Sequence, residues 1–345
     1  MTSPNDIAVS IIIPAYNVGR HVRRCVESVL AQTCRSLEVI VVNDRSTDDT
    51  GEVLDQLAAN FPALRVVHLL QNVGVHAARA AGVTVARGAY LGFVDGDDWI
   101  EPRMFAEMLE KARAEAADIV LCGAFTAEEA GAPTGYKIRF HRSEIIRANV
   151  LARFCRLEFG SGVLWNKLYR AEILRPSALQ PLERAVDAAE DYIVNVGAFS
   201  RAQKVVTLSD AYYWYRQYAG SATQSANRAQ SFARTLRAYV VALECFSALG
   251  AEVVRQTTVL YTRQLRFESY WVSAPAELDA YEASLAESLT RLAQVYPAGI
   301  YPLIHSFHLP PPAPRPTGFR SVARRLWHFP KGLLHKLVRR ERWAH

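Results

Sequence analysis

Cysteine is scarce and carries no pairing pattern. The 345 residues hold five, at positions 25, 34, 122, 155 and 245, an odd number with no Cys-x-x-Cys spacing. That argues against a disulfide framework and a cysteine zinc site, and fits a reducing compartment. No run of 18 or more uncharged apolar residues occurs, so no single helix is expected to span a bilayer. The first eight residues lack a basic cluster, and the apolar run Val9 to Ile13 is short for a secretory signal, so none is expected there. Glycine (18) and proline (16) sit near average usage, which excludes collagen-like and low-complexity chains. Catalytic signatures are missing too. After the first apolar run stands Pro14-Ala-Tyr-Asn-Val-Gly19 rather than Gly-x-Gly-x-x-Gly, which disfavours a dinucleotide site. Gly-x-x-x-x-Gly-Lys-[Ser/Thr], His-Glu-x-x-His and Gly-x-Ser-x-Gly are absent as well.

What is present is a globular composition. Half of the residues are apolar and 21% are charged, enough for a large core and too apolar for a disordered chain. The length allows two domains, or one α/β domain with a helical appendix. The formal charge of +6 is uneven. From Arg315 onward nine Lys and Arg face one acid, Glu341, a net of +8, so the preceding 314 residues carry −2. A near-neutral globule with a basic tail calls for an anionic partner, or for a solvated helix.

The first 125 residues alternate strand and helix. Apolar runs at Val9–Ile13, Leu37–Val42, Leu64–Leu70, Tyr90–Val94 and Asp118–Cys122 read as strands. Val22, Val26, Val29 and Leu30 fall at helical spacing after Asn17, a candidate cap, and Val53, Leu54 and Leu57 follow Ser46-Thr-Asp-Asp49. Such repetition predicts parallel pairing. Further on, Ile145, Ile146, Val150, Leu151 and Phe154 predict a helix, Tyr212–Tyr215 a short strand, and Ser231 to about Val295 a helical region. The segment 308–317 holds five prolines and reads as a stiff linker. Beyond it Val322, Leu326, Phe329, Leu333 and Leu337 recur between basic residues, with Trp327 and Trp343 nearby. That pattern suits docking on an anionic membrane surface and equally a helix packed on the protein's own core. No fold motif for nucleic acid accompanies the charge.

Polar residues gather where the strands end, and in open parallel sheets ligands bind there. Pro14, Ala15, Tyr16 and Asn17 follow the first strand, Asp44 the second, Asn72 and Gly74 the third, and Asp95-Gly96-Asp97-Asp98 the fourth. Three carboxylates in four residues repel one another and need a cation or hydrogen bonds. Mg²⁺ or Mn²⁺ bridging phosphate oxygens would answer that need, and an acidic helix-capping turn is the plain alternative. Gly96 would let the backbone approach a ligand closely. Arg79 either reaches a phosphate or braces its helix against the acidic rim. Trp165, Tyr169 and Tyr212 to Trp214 read as packing aromatics, and His76 as structural or exposed. Asn166 and Lys167 either shape a pocket or sit in a surface ion pair.

Taken in order, Val-Ser-Ile-Ile-Ile-Pro-Ala-Tyr-Asn, Val-Ile-Val-Val-Asn-Asp-Arg-Ser-Thr-Asp, Asn-Val-Gly-Val-His-Ala-Ala-Arg and Phe-Val-Asp-Gly-Asp-Asp-Trp resemble the family 2 glycosyltransferases. Trp165-Asn-Lys-Leu-Tyr169, Glu190-Asp191 and Tyr215-Arg-Gln-Tyr-Ala-Gly-Ser221 are similar to bacterial members that build surface polysaccharides, so the resemblance covers residues 8 to about 225. It implies an α/β fold of GT-A type, a mostly parallel sheet flanked by helices. The expected division is a GT-A domain over 1–225, a helical region over 226–307, the linker 308–317 and the basic tail 318–345. It implies a metal-dependent inverting hexosyltransferase in polysaccharide biosynthesis. The donor would be a nucleotide sugar, a UDP-sugar in the first instance, and the acceptor a saccharide or polyprenyl-linked glycan. The expected location is cytoplasmic, peripheral on the inner face of the membrane if the tail docks there.

The resemblance also assigns roles. Asp44 would meet the uracil, and Pro14–Asn17 would line base and ribose. Asp95 would lie by the ribose, and Asp97 would hold a divalent cation (Mg²⁺ or Mn²⁺) against the diphosphate. Asp98 would face a sugar hydroxyl or support its neighbours. Asp191 would be the general base, and Arg216 and Ser221 would belong to a loop closing over the diphosphate. Two departures stand out: Asn43-Asp44-Arg45-Ser46 replaces the common Asp-Asp-Gly-Ser, and Ala80 replaces the usual Asn after the helix arginine. Two rivals remain at this stage. A sugar-nucleotide nucleotidyltransferase would need a Gly-rich basic phosphate loop that Pro14–Gly19 does not supply. An inactive sugar-nucleotide-binding scaffold would not need Asp97 and Asp191.

Overall fold

A computed structural model describes residues 7–159, 161–183, 186, 189–218, 227–269 and 275–296. Ser221, the proline-rich segment 308–317 and the basic tail 318–345 lie outside the described residues. The chain divides into two compact units, Met1–Gln224 and Ser225–His345.

The first unit is a mixed α/β sheet. Strands β1 (Val9–Ala15), β2 (Leu37–Asn43), β3 (Leu64–His68) and β4 (Tyr90–Phe93) pair in parallel in the order β3-β2-β1-β4. The connections are α1 (Gly19–Leu30), α2 (Thr50–Asn60) and α3 (Val75–Val85). Every residue of β1 is buried, as its nearly continuous apolar run requires of a strand covered on both faces, and the one polar residue in Val9–Ile13, Ser10, donates to Glu38 at 2.6 Å. Helix α1 buries Val22, Cys25, Val26 and Val29, one stripe of a 3.6-residue period. Because β1 passes to β2 on one side and β4 lies on its other side, the order reverses at β1, and in open α/β sheets ligands bind beyond the strand ends at such a point.

Past β4 come β5 (Trp99–Ile100), α4 (Met104–Ala114), β6 (Ile119–Glu128), β7 (Pro133–Ile138) and β8 (Glu144–Ile146). They are followed by α5 (Val150–Cys155), β9 (Lys167–Arg170), α6 (Ala171–Ala178), α7 (Glu190–Phe199) and β10 (Val205–Gln217). The fifth sequence-predicted strand, now β6, does not lie beside β4. Antiparallel β9 separates them, with Tyr169 opposite Leu91 on one side and Ile119 on the other. Strand β10 then runs parallel to β6 through two register shifts.

Three local expectations change. Asn17 does not cap α1: it sits at φ 53°, and its Oδ1 accepts from the Thr47 amide at 2.8 Å. Asp48, from the loop before α2, accepts from the Gly19 amide instead, at 3.0 Å. The helix drawn through Ile145–Phe154 is a strand and then a helix. Asn149 at φ 52° breaks the chain, and Ile146 pairs opposite Val205 in β8–β10. The aromatic strand is 13 residues long rather than four.

Within the second unit α8 (Arg228–Phe246) packs on α9 (Ala251–Ser269) and α10 (Glu282–Val295). Leu236, Val240, Leu243 and Phe246 are buried along α8, as their spacing predicts. Gly250, at φ 102°, makes the turn that splits the long helical pattern.

Candidate active site

At the end of β2, Asp44 is 3% exposed, and its two carboxylate oxygens accept from the Val73 and Gly74 amides at 2.7 and 2.9 Å. Asn72 Nδ2 donates to the Asp44 carbonyl at 3.1 Å. Asp44 and Asn72 thus stitch two strand ends together and shape the mouth of α3. Beside them Pro14 and Ala15 are buried, while Tyr16 and Asn17 are exposed on the rim.

The acidic turn after β4 points its carboxylates in different directions. Asp98 is turned inward, 1% exposed: Oδ2 accepts from Tyr213 Oη at 2.7 Å and Oδ1 from the Arg216 amide at 2.8 Å. Tyr213 Oη also accepts from the Asp95 amide at 3.1 Å, so one phenol of β10 holds both ends of the turn. Burial, then Asp97 and Asp95, push the Asp98 carboxyl well above the usual range. Its position is that of a brace rather than a rim group. Asp97 Oδ2 accepts from Tyr218 Oη at 3.1 Å, and burial and then Asp95 raise its pKa. Gly96 sits where this turn meets the loop after β1. A Cβ there would stand 3.0 Å from the Pro14 carbonyl and 3.2 Å from Val18, so the glycine lets the β1 loop and this turn touch. Arg216, expected in a closing loop, is 5% exposed and bound to the turn: Nε donates to the Asp97 carbonyl and Nη1 to the Glu129 carbonyl, both at 2.7 Å.

Arg79 of α3 lies at the centre. Its Nη2 meets Asp95 at 2.9 Å, and its Nη1 meets Asp191 at 2.7 Å and Glu190 at 3.3 Å. The planar guanidinium fork reaches all three carboxylates where a point charge would reach fewer. Of the two roles the sequence left open, the structure gives Arg79 that of a brace. It brings together residues 95 and 191, which lie on different elements. Glu190 and Asp191 open α7, where the positive end of the helix favours acids. Ala189 before them takes a left-handed φ of 60°, backbone strain of the kind found at functional loops. Burial, then Asp191, push Glu190 up to about 7, against the pull of Arg79. Asp191 is likewise raised by burial, with Arg79 opposing.

Several residues matter more than their sequence context suggested. Asn166 and Lys167 are both fully buried, which excludes the surface ion pair. Asn166 Nδ2 donates to the Cys122 carbonyl at 2.8 Å. Trp165 stacks on Tyr213 with centroids 4.1 Å apart. Tyr213, Tyr218 and Asn195 were not singled out as site residues. The alternation along β10 was the available signal, since it sets Tyr213 and Tyr215 on one face with Trp165. Of the structural and exposed placements open to His76, it takes the first: it is buried and bonded to the Gln180 carbonyl at 2.8 Å.

Among the described residues no group of three or more His, Cys, Asp or Glu side chains is arranged to hold a metal ion. With Asp98 occupied inward and Asp95 shared with Arg79, Asp97 is the principal hard oxygen donor on this rim. One or two carboxylates suit Mg²⁺ or Mn²⁺, ions that keep waters and take the remaining ligands from substrate phosphates. No described helix is long and apolar enough to cross a membrane, and no cysteine forms a disulfide.

A mixed sheet flanked by helices, its parallel half reversing at β1 beside the acidic turn, is an architecture of GT-A type. Residues 10–178, just under half of the chain, match the family described as Glycosyl transferase family 2. It is 33% identical over 219 residues to the uncharacterized glycosyltransferase EpsJ of Bacillus subtilis, covering 63% of each chain. It is 31% identical over 221 residues to the putative glycosyltransferase EpsH of the same species, again covering 63% of each. The match therefore spans just under two thirds of these relatives' length. Among solved structures, TarS residues 1–349 of S. aureus shares the fold, with TM-score 0.64 at 18% identity over 87% of this chain and 88% of that one.

Proposed function

We propose that this chain transfers a sugar from a nucleotide-sugar donor, with inversion at the anomeric carbon, to a saccharide or polyprenyl-linked acceptor. The observation that carries this reading is the Arg79 guanidinium, bonded on one side to Asp95 of the β4 turn and on the other to Asp191 of α7. One buried cation thus holds a rim suited to a diphosphate and a separate carboxylate in a single arrangement. A solved complex of TarS with UDP-GlcNAc, and GlyA and GlyG among the curated relatives, support a nucleotide sugar and a glycosyltransferase.

In this reading Tyr16 and Asn17 line the nucleoside, and Asp44 shapes that mouth while keeping lone pairs for the base. Asp191 accepts the proton of the attacking hydroxyl. The acceptor oxygen bonds to carbon 1 as the bond from carbon 1 to the diphosphate oxygen breaks, and the electron pair leaves with the nucleoside diphosphate. Asp97 would hold a divalent cation, which when bound supplies positive charge to the departing diphosphate. Attack from the Asp191 side, opposite the leaving group, inverts the centre. A carboxylate with a raised pKa is the stronger base for such a step.

Ser221 and the basic tail would close over the diphosphate and meet an anionic membrane face, respectively. Deleting 318–345 and measuring sedimentation with anionic liposomes tests the second. The main test is thermal shift with a panel of UDP- and GDP-sugars, with and without Mn²⁺, followed by nucleotide release on adding acceptor glycans. One donor should stabilise strongly only with metal. Transfer by Asp191→Asn at the wild-type rate would overturn the assignment of the base.

A further inference from the structure

Behind Asp191 lies a short turn whose backbone is held with unusual completeness. Four consecutive carbonyls each accept from a residue packed beneath them. Ser161 O and Val163 O accept from Lys167 Nζ, the first at 3.0 Å. Gly162 O accepts from Asn195 Nδ2 at 2.6 Å, and Leu164 O from the Lys167 amide at 3.2 Å. The third N–H of the ammonium goes to Asn166 Oδ1 at 2.8 Å, so all three Lys167 donors have acceptors. Asn195 is fixed in turn: its Oδ1 accepts from Tyr169 Oη at 2.8 Å, and its Nδ2 also donates to the Asp191 carbonyl at 2.9 Å. The turn presses on α7 as well, since a Cβ on Gly162 would stand 1.5 Å from the Tyr192 ring. Asn195 Nδ2 thus ties this turn, through Gly162 O, to the backbone of Asp191.

A fully buried ammonium bonded to three neutral oxygens is costly unless it does something a neutral side chain would not. We propose that Lys167 is a positioning residue for Asp191: with Asn195 it locks residues 161–164 behind that residue, Asn195 tying the turn to the Asp191 backbone, and its positive charge favours the ionised carboxylate. The inference rests on reading Asp191 as the base, and it adds how that base is aimed. Facing Asp191 are Arg79 of α3, Asp95 beyond β4, Glu190 of α7 and Lys167 and Tyr169 of β9. Two of these are cations that favour its charged form, and the two acids oppose it. Facing Lys167 are Asp191 and the Cys122 thiol of β6. Burial lowers Lys167 to about 7, with Asp191 acting against the shift, so its charge is sensitive in the working range.

The test uses the full chain and three variants: Lys167→Met, Lys167→Arg and Asn195→Ala. UDP with Mn²⁺ is the binding probe, and nucleotide release from the donor found in the panel gives turnover against pH. Lys167→Met should bind UDP within about threefold of wild type while kcat falls about 30-fold, and the acid limb of its pH profile should move upward by half a unit or more. Lys167→Arg should restore the limb but not the full rate, because its wider fork does not fit the turn. Asn195→Ala should lower kcat with the limb in place. A folded Lys167→Met with wild-type kcat and an unmoved limb overturns the proposal, as does UDP affinity falling in step with kcat. If Lys167→Met does not fold, Asn195→Ala at wild-type kcat overturns it instead. Wild-type turnover by Asp191→Asn marks a different failure, that of the base itself.

Discussion

Replacing Arg79 by methionine should be the most revealing single change. The side chain is 7% exposed and satisfies carboxylates from two elements at 2.7, 2.9 and 3.3 Å. Methionine fills much of the volume but leaves Asp95, Glu190 and Asp191 facing one another without a cation. Removing one partner from a buried ion pair costs about 3–5 kcal/mol. For a folding unit of roughly 200 residues each kcal/mol is worth about 2–4 °C, so melting should fall by about 6–20 °C. The pH dependence carries the sharper check. Glu190 and Asp191 both have raised pKa values, so the folded state holds protons that the unfolded chain has released. Stability therefore declines as pH rises from about 4.5 through about 7, where Glu190 titrates. Arg79 opposes this by favouring the ionised forms. Without it the carboxyls rise further, the decline steepens, and the gap from wild type should be widest at pH 8 and narrow toward pH 5. Circular-dichroism melts of both proteins across that range test this. A variant melting within about 2 °C of wild type, or a gap equal at pH 5 and pH 8, would refute the account of Arg79 as the shared counter-ion.

Three further outcomes follow from the same geometry. Glu190→Gln, a neutral isostere, should flatten the stability profile between about 4.5 and 7, since the raised carboxyl that sheds its proton there is gone; an unchanged slope would assign the titration elsewhere. Tyr213→Phe deletes the hydroxyl that donates to buried Asp98 and accepts from the Asp95 amide, and should cost about 2 kcal/mol in urea unfolding, a loss under 0.5 kcal/mol counting against the brace. Arg45→Gly should raise melting by about 1–3 °C, because Arg45 sits at φ 57°, where a side chain costs about 1–2 kcal/mol and glycine's greater unfolded freedom returns only part of that.

The parallel half of the sheet was legible because its signal is local. Val9–Ile13 and Leu37–Val42 are apolar runs interrupted only by Ser10 and Glu38, each followed within a few residues by polar ones, and α1 after the first carries a clear stripe. Arg45 stands where glycine is common in the resembling family, and its left-handed φ of 57° explains that preference. The antiparallel half was less legible. Strand β9 is four residues long, and nothing in Lys167–Arg170 says that it will slip between β4 and β6. Ile145 and Ile146 fit a helical period with Val150 and Phe154, yet an αL residue at Asn149 and pairing with β10 decide otherwise. At the site, residue type marked the acidic turn and the Glu190-Asp191 pair, but direction was not readable. Asp98 turns inward to Tyr213 and the Arg216 amide, 115 and 118 positions later.

That insertion of β9 has a mechanical consequence. Strand β4 delivers the acidic turn, and β9 follows directly on the 161–164 turn that backs Asp191. The two strands are hydrogen-bonded neighbours, Gly92 opposite Leu168, so both sides of the site are carried on one pair of strands. Helix α7 meets the same turn through Asn195, and α3 reaches over with Arg79. The distance between donor rim and candidate base is thus set by backbone pairing in the sheet and tuned by a single guanidinium. Changes on the exposed edge of such a frame, where Tyr16 and Asn17 lie, can alter which nucleotide is held without moving Asp191 relative to the β4 tip. Substitutions at Tyr16 should accordingly alter donor preference, read as a ratio of kcat/KM between two nucleotide sugars, and leave the acid limb of the pH profile where it was. A shift of that limb on changing Tyr16 would mean that the rim and the base are not held as independently as the sheet implies.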